Sequence, residues 1–155
     1  MVEVGEDAPD FAIPNQNGEI KNLKNFEGEW SVIYFYPRDD TPGCTVEAKE
    51  FTDLNKQFEK LGCHIVGVSP DNEAEHCKFI DKHDLKLELL ADTEKAMLDD
   101  YGVWQEKSMY GKTYMGVVRT TYLINPDGNI AEVWAKVKAK GHAKAVLERL
   151  IELKG

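Results

Sequence analysis

Short apolar runs alternate with longer amphipathic stretches in the first half of the chain. Residues 31–36 are mostly β-branched or aromatic and stop at Pro37, which predicts a strand buried on both faces near the centre of a sheet. Apolar residues then recur at near-helical spacing over 44–61, which predicts a helix. Residues 63–68 predict a second buried strand, and 72–83 a second helix. Because strands and helices alternate, we expect these strands to be parallel.

The second half of the chain predicts a different kind of pairing. Residues 87–90 predict a short strand and 94–101 a short helix. Strands over 117–124 and 129–134 flank the turn sequence Asn-Pro-Asp-Gly, so we expect an antiparallel hairpin there. An amphipathic helix over 142–153 closes the chain. The predicted inward-facing residues are Ala74, Cys77 and Ile80 on the second helix and Ala145, Val146, Leu150 and Leu153 on the last. A mixed parallel and antiparallel sheet covered by helices on both faces is the thioredoxin-like α/β fold.

Length and charge narrow the class of protein. With 155 residues, 42% of them hydrophobic, the chain can bury one ordinary core, so we expect a single domain over residues 1–155. Its formal net charge of -9 disfavours nucleic acid and anionic membranes as partners. No secretory signal or membrane-spanning run is visible. Three cysteines are too few for a disulfide framework, so we expect a reducing compartment, the cytoplasm.

Cys44 lies where a buried strand has ended and a helix begins. Unpaired backbone N–H groups and the macrodipole of the helix favour a thiolate there, and thiolate is the nucleophilic form of cysteine. We expect this thiol to be partly exposed at the start of the helix. Thr41 can place a hydroxyl beside the sulfur, and Arg119 begins a strand that brings it to the same end of the sheet if it runs antiparallel to 31–36. The sequence therefore predicts a nucleophile with hydrogen-bond donors around it.

The residues around Cys44 resemble those of a known family. Pro37, Thr41 and Cys44 reproduce the Pro-x-x-x-Thr-x-x-Cys signature of peroxiredoxins, and residues 36–47 closely resemble the bacterioferritin comigratory protein, or peroxiredoxin Q, subfamily. Further matches run along the whole chain, at residues 8–11, 66–69, 110–111, 119–122 and 140–142. The resemblance implies a thioredoxin-like fold, reduction of hydrogen peroxide or organic hydroperoxides through a sulfenic acid on Cys44, and no cofactor. It further implies that Pro37, Thr41 and Arg119 surround the peroxide, with Glu47 as a partner of Arg119 or the loop.

The chain departs from this subfamily at the second cysteine. Many members carry it five residues after the first, where this chain has Lys49. Other members carry it at a position aligned with Ile80, and Cys77 lies one helical turn earlier on the same face. Cys77 is therefore either the resolving thiol or a core residue. Cys63 begins its strand at the opposite end of the sheet and is predicted to be a core residue.

Other site chemistries are less well supported. His64, His76 and His83 lie near Cys63 and Cys77 in the sequence, but Cys63 and His64 point to opposite faces of a strand, so we predict no metal site. The leading hypothesis is a peroxidase that a dithiol such as thioredoxin reduces again. The thioredoxin and a monomeric state are implied by the resemblance alone. The alternative is a thioredoxin-like redox sensor or binding module without turnover, which steady-state peroxide consumption would distinguish.

Overall fold

The computed structural model describes all 155 residues and has nine strands and four α-helices. The strands are β1 (Ile13–Pro14), β2 (Ile20–Lys21), β3 (Trp30–Phe35), β4 (Cys63–Ser69), β5 (Glu88–Ala91), β6 (Trp104–Met109), β7 (Lys112–Val117), β8 (Thr120–Ile124) and β9 (Ile130–Ala135). The helices are α1 (Pro42–Lys60), α2 (Glu73–His83), α3 (Ala96–Asp100) and α4 (His142–Lys154), and a short 3-10 helix spans Leu23–Phe26. No helix is long and apolar enough to cross a membrane.

The central sheet has five strands in the order β5-β4-β3-β8-β9. Strand β3 lies in the middle, parallel to β4 and antiparallel to β8, and β4 is parallel to β5. The predicted thioredoxin-like α/β fold, with parallel and antiparallel strands in one sheet, is confirmed. Apolar β3 suits this position because both of its faces are buried. The carboxyl ends of β3 and β4 and the start of β8 therefore meet at one end of the sheet.

The strand predicted over 117–124 is interrupted, and that part of the prediction is wrong. Strand β7 ends at Val117 and pairs with β6, whereas β8 begins at Thr120 and pairs with β3 and β9. The two residues between them turn the chain from a separate two-stranded hairpin into the central sheet. That β6–β7 hairpin was not predicted. Its two-residue loop, Tyr110 and Gly111, has positive φ at both positions, 52° and 76°, the conformation of a type I′ hairpin turn.

Helices cover both faces of the sheet, and the buried side chains form two clusters. One cluster contains residues of α1, α2 and α4, and the other contains residues of α3 and the N-terminal segment. The predicted stripes need correction at three positions, because Ala74, Ala145 and Leu153 are exposed. On α2 the buried residues are His76 and Phe79, and Ala74 lies about 200° around the helix axis from His76. Cys77 and Ile80 flank this face and are half-buried.

Candidate active site

The sequence around Cys44 forms a tight strand-to-helix connection. Strand β3 ends at Phe35, and helix α1 begins at Pro42 after Thr41, whose extended backbone (φ -91°, ψ 155°) marks the N-cap. Proline suits the first helical position because its fixed φ is helical and its missing N–H would have no partner there. Cys44 is thus the third residue of a 19-residue helix. The backbone N–H groups and the positive end of the helix dipole lie beside its sulfur, which favours an anion there.

The thiol is more deeply buried than expected. Cys44 is 1% exposed and belongs to the core cluster, so the prediction of a partly exposed thiol is wrong. The reason is helical spacing, since Ala48 and Phe51 follow at i+4 and i+7 and are buried on the same face of α1. The sulfur therefore lies in a largely apolar environment, where electrostatic interactions are stronger than in water.

Arg119 donates to the sulfur. Its Nη2 is 3.0 Å from the Cys44 Sγ, and its Nη1 is 3.2 Å from Glu47 Oε1. The sheet register explains this position, because the next residue, Thr120, pairs with Phe35 at the end of β3. This strand therefore runs antiparallel to β3, the direction that brings Arg119 to the same end of the sheet as Cys44. A guanidinium in this place can hydrogen-bond a thiolate and still present N–H groups toward a bound oxygen.

Glu47 lies beneath this guanidinium and is 1% exposed. Burial raises the pKa of its carboxyl to about 7, and the charge and hydrogen bond of Arg119 oppose that shift only in part. The neighbouring Tyr34 hydroxyl is buried without a hydrogen-bond partner, and burial followed by the charge of Glu47 raises the pKa of its phenol well above the usual value. Cys44, Arg119 and Glu47 thus form a continuous chain of contacts at this end of the core cluster.

Thr41 and Pro37 lie in the loop before α1. The Thr41 hydroxyl donates to the Arg38 carbonyl at 2.9 Å and makes no hydrogen bond to Cys44, so its hydrogen is not directed at the sulfur as expected. Its oxygen lone pairs can still accept a hydrogen bond. Pro37 is half-buried and lies two residues after the end of β3. Gly43 touches the site closely, since a Cβ added there would lie 2.8 Å from Arg119 Nη2.

The other two cysteines differ sharply from Cys44, and all three are free thiols. Cys63 is 2% exposed, and burial raises the pKa of its thiol to about 12. It pairs with Trp30, at the opposite end of β3 from Cys44, so the predicted core position is confirmed. Cys77 is half-buried in the second turn of α2, and its Sγ donates to the Gln16 carbonyl oxygen at 3.1 Å. The structure does not bring Cys77 into contact with Cys44.

A second polar cluster, which the sequence analysis did not predict, lies beside the loop before α1. Ligand-type atoms of Asp39, Asp71 and His76 lie within 4.8 Å of one another, an arrangement that could hold a metal ion. All three residues already have protein hydrogen-bond partners, however, including Ser69 Oγ, which donates to Asp71. No spacing signal marks this cluster, because Asp39 and His76 are 37 residues apart. His64 lies apart from this cluster, and it is the one exposed residue of β4.

Comparisons with known proteins agree with this geometry. The model of the AhpC/TSA family matches residues 4–133. Peroxiredoxin Bcp of Bacillus subtilis is 41% identical over 152 residues, which cover 98% of this chain and 97% of that protein. Peroxiredoxin Bcp of Escherichia coli K12 is 39% identical over 151 residues, which cover 97% of each chain. The similarity therefore extends over nearly the whole length of the protein.

Solved structures are similar over the same extent. The bacterioferritin comigratory protein of Xanthomonas campestris, studied for alkyl peroxide reduction, superimposes with a TM-score of 0.92 at 37% identity and covers 99% of this chain and 100% of its own. A cysteine-to-serine mutant of PrxQ from Xylella fastidiosa gives a TM-score of 0.95 at 32% identity and covers 100% and 99%. Together with the family match, these similarities show that the chain belongs to the AhpC/TSA family, as a peroxiredoxin of the Bcp, or peroxiredoxin Q, subfamily.

Proposed function

We propose that this peroxiredoxin, a thiol-dependent peroxidase, reduces hydrogen peroxide and organic hydroperoxides with Cys44 as the nucleophile. The observation that carries the assignment is the 3.0 Å hydrogen bond from Arg119 Nη2 to the Cys44 sulfur at the start of α1. Neither other cysteine has a cationic donor on its sulfur, and the pKa of Cys63 is raised by burial. Only Cys44 combines a helix N-terminus with a guanidinium, the two features that stabilise a thiolate.

The first step breaks the O–O bond of the peroxide. The Cys44 thiolate attacks the terminal oxygen, an S–O bond forms, and the electron pair of the O–O bond leaves with the second oxygen as hydroxide or alkoxide, which takes up a proton. Negative charge thus moves from sulfur to the leaving oxygen. In this proposal Arg119 stabilises that oxygen, and the Thr41 hydroxyl oxygen accepts the hydrogen of the attacked peroxide. Pro37 and Pro42 restrict the loop that shapes this side of the site.

The second step removes the sulfenic acid. We propose Cys77 as the resolving thiol: its sulfur attacks Cys44 Sγ, a disulfide forms, and the sulfenic oxygen leaves as water. A disulfide needs a Cα separation of about 4.4–6.8 Å, so the first turns of α1 and α2 must rearrange for Cys77 to reach Cys44. A dithiol protein such as thioredoxin then reduces the disulfide by thiol exchange. We further propose that the protein works as a cytoplasmic monomer.

Three cysteine variants test this cycle. Cys44→Ser is expected to abolish peroxide consumption, because a serine hydroxyl is not ionised at neutral pH. Cys63→Ala is the matched control and is expected to retain wild-type turnover. Cys77→Ser is expected to keep the first oxidation step and to lose most turnover with thioredoxin. Normal turnover of Cys77→Ser would instead identify a one-cysteine enzyme resolved by an external thiol, and turnover by Cys44→Ser would refute the nucleophile.

A further inference from the structure

The loop that leads to Cys44 is fastened to helix α2 by a buried carboxylate, that of Asp39. This side chain is 6% exposed, and its Oδ2 lies 2.6 Å from Nδ1 of His76. Its Oδ1 accepts a hydrogen bond from the Tyr36 hydroxyl at 2.6 Å. The backbone N–H of Asp39 donates to the Asp71 carboxylate at 2.8 Å, so side chain and backbone are both fixed. The residue after β3, the segment between β4 and α2, and α2 itself therefore all contact Asp39.

Both ring nitrogens of His76 face oxygen atoms that can accept a hydrogen bond. Its side chain is fully buried, and Nε2 lies 2.9 Å from the Leu90 carbonyl oxygen, which can only accept, so Nε2 carries a proton. Nδ1 faces the Asp39 carboxylate, an arrangement that favours a proton on this nitrogen as well. Burial by itself lowers the pKa of His76, but the hydrogen bond and charge of Asp39 outweigh it and the net shift is upward. The charged groups that face the ring are Asp39 from the loop and Asp71 from the end of β4.

The same loop and helix share a second, exposed contact that serves as an internal comparison. The Asp40 carboxylate pairs with Lys82 at 2.7 Å and with His83 at 2.8 Å, and it is 42% exposed. Exposed ion pairs contribute little, whereas removing one partner of a buried, fully hydrogen-bonded pair is strongly destabilising. The buried Asp39–His76 pair is therefore the main contact that stabilises the loop against α2, and the exposed pair of Asp40 contributes less.

The Asp39–His76 contact lies directly beside Cys77. His76 is the fourth residue of α2 and Cys77 the fifth, after the Asn72 cap. Any unwinding that frees Cys77 to approach Cys44 moves His76 in the same turn. Asp39, on the other side of the contact, lies in the loop that leads into α1, the helix that carries Cys44. One buried pair thus holds both segments that must rearrange for a disulfide to form.

We propose that His76 is a positioning residue of the peroxidase cycle, which with Asp39 holds the Cys44 loop in its peroxide-reactive conformation and is released when Cys77 resolves the sulfenic acid. The proposal rests on the proposed function of Cys44 and Cys77. Oxidation of Cys44 and resolution by Cys77 then depend on the Asp39–His76 contact in opposite directions. A weaker contact slows oxidation, because the loop leaves the reactive conformation more often, and speeds resolution, because less must be broken.

Adjacent Asp→Asn substitutions test the proposal in the full-length protein. Reduced protein is mixed with one equivalent of hydrogen peroxide, quenched with an alkylating agent at set times, and the thiol, sulfenic acid and disulfide forms are quantified by mass spectrometry. Asp39→Asn is expected to oxidise severalfold more slowly and to form the Cys44–Cys77 disulfide about tenfold faster. Amide exchange in residues 37–44 and 73–77 of the reduced protein should rise by a similar factor. Asp40→Asn should leave both rates within about twofold of wild type, as expected for an exposed pair.

Two further measurements separate positioning from general destabilisation. Ile130→Ala weakens the core cluster on the other face of the sheet and should leave the resolution rate unchanged. In wild-type protein, NMR should show both ring nitrogens of His76 protonated in the reduced state and a solvent-exposed ring in the disulfide state, which needs no variant to fold.

The outcomes are distinct. No Cys44–Cys77 disulfide in wild type would overturn the resolving role on which this inference rests. If the disulfide forms at the same rate in wild type and Asp39→Asn, the proposed role of the Asp39–His76 pair would be overturned and the resolving role of Cys77 would stand. The same conclusion would follow if the His76 ring stayed buried on oxidation.

Discussion

Adding a single methyl group at Gly43 should slow peroxide reduction without removing any reacting group. A Cβ at this position would lie 2.8 Å from Arg119 Nη2, whereas an ordinary contact is about 3.4 Å or more. The atom that must move is the end of a flexible side chain, so the fold can accommodate Gly43→Ala. The backbone there is helical, and alanine is the better helix former by up to about 1 kcal/mol. Stability should therefore be unchanged or slightly higher.

The substitution should instead weaken the hydrogen bond between Arg119 Nη2 and Cys44 Sγ. If Nη2 moves by about 0.6 Å away from Sγ, the attraction between guanidinium and thiolate weakens by about 1 kcal/mol at an effective dielectric constant of about 20. Stretching a charge-assisted hydrogen bond costs up to about another 1 kcal/mol. Since about 1.4 kcal/mol corresponds to a factor of ten, the rate constant for Cys44 oxidation should fall roughly 5- to 30-fold.

Stopped-flow oxidation with substoichiometric peroxide measures this rate constant directly, and thermal unfolding checks the fold. The matched control is the same substitution in an Arg119→Met background. There the methyl group has no guanidinium to displace, so it should have almost no further effect. A wild-type rate in Gly43→Ala, or an equal loss in both backgrounds, would refute the assignment of Arg119 as the group through which Gly43 acts.

Three further predictions concern other residues of the site and the core. Thr41→Val should lower the oxidation rate about tenfold or more, while Thr41→Ser should retain it, and equal rates in both would remove the hydroxyl from the mechanism. The pKa of Glu47 is raised to about 7 in the folded state, so this group makes the folded protein less stable as pH rises from about 4.5 to 7, by at most about 3 kcal/mol. Glu47→Gln should abolish that loss of stability, which urea titrations at several pH values would measure. Burial lowers the pKa of His142 to about 4, so this group destabilises the fold as pH falls from about 6.5 to 4, and His142→Asn should remove that slope. A pH profile of stability identical to wild type in either variant would contradict the corresponding pKa shift.

The parts of the site that depend on local sequence were predictable. A buried strand that stops at Pro37, a turn with Pro42, and a helical pattern after it place Cys44 at a helix start, as the structure has it. Arg119 was predicted at this site on the condition that its strand runs antiparallel to β3, and only the structure supplies that direction. The burial of Cys44 was missed because a position at a helix start was taken to mean exposure, whereas the side chain continues the buried stripe of Ala48 and Phe51 and packs in the core.

Contacts between segments that are distant along the chain could not be predicted from the sequence. In the sequence, Asp39 has the features of an ordinary loop residue and His76 those of an ordinary helix residue. Their pairing depends on where α2 packs relative to the end of β3. The β6–β7 hairpin was missed for a different reason. Its strands are mostly polar and exposed, so they lack the alternating pattern that marks a half-buried strand, and the positive φ of Tyr110 is uncommon for a bulky residue.

The most direct test of the central claim is site-resolved mass mapping after a single turnover. Wild-type protein is treated with one equivalent of hydrogen peroxide, and the peptides that contain Cys44, Cys63 and Cys77 are quantified, alongside Cys44→Ser. We predict that Cys44 is oxidised first and completely, to a sulfenic acid that converts to a disulfide with Cys77, that Cys63 stays reduced, and that Cys44→Ser consumes no peroxide. Oxidation beginning at Cys63 or Cys77, or peroxide consumption by Cys44→Ser at the wild-type rate, would contradict the account.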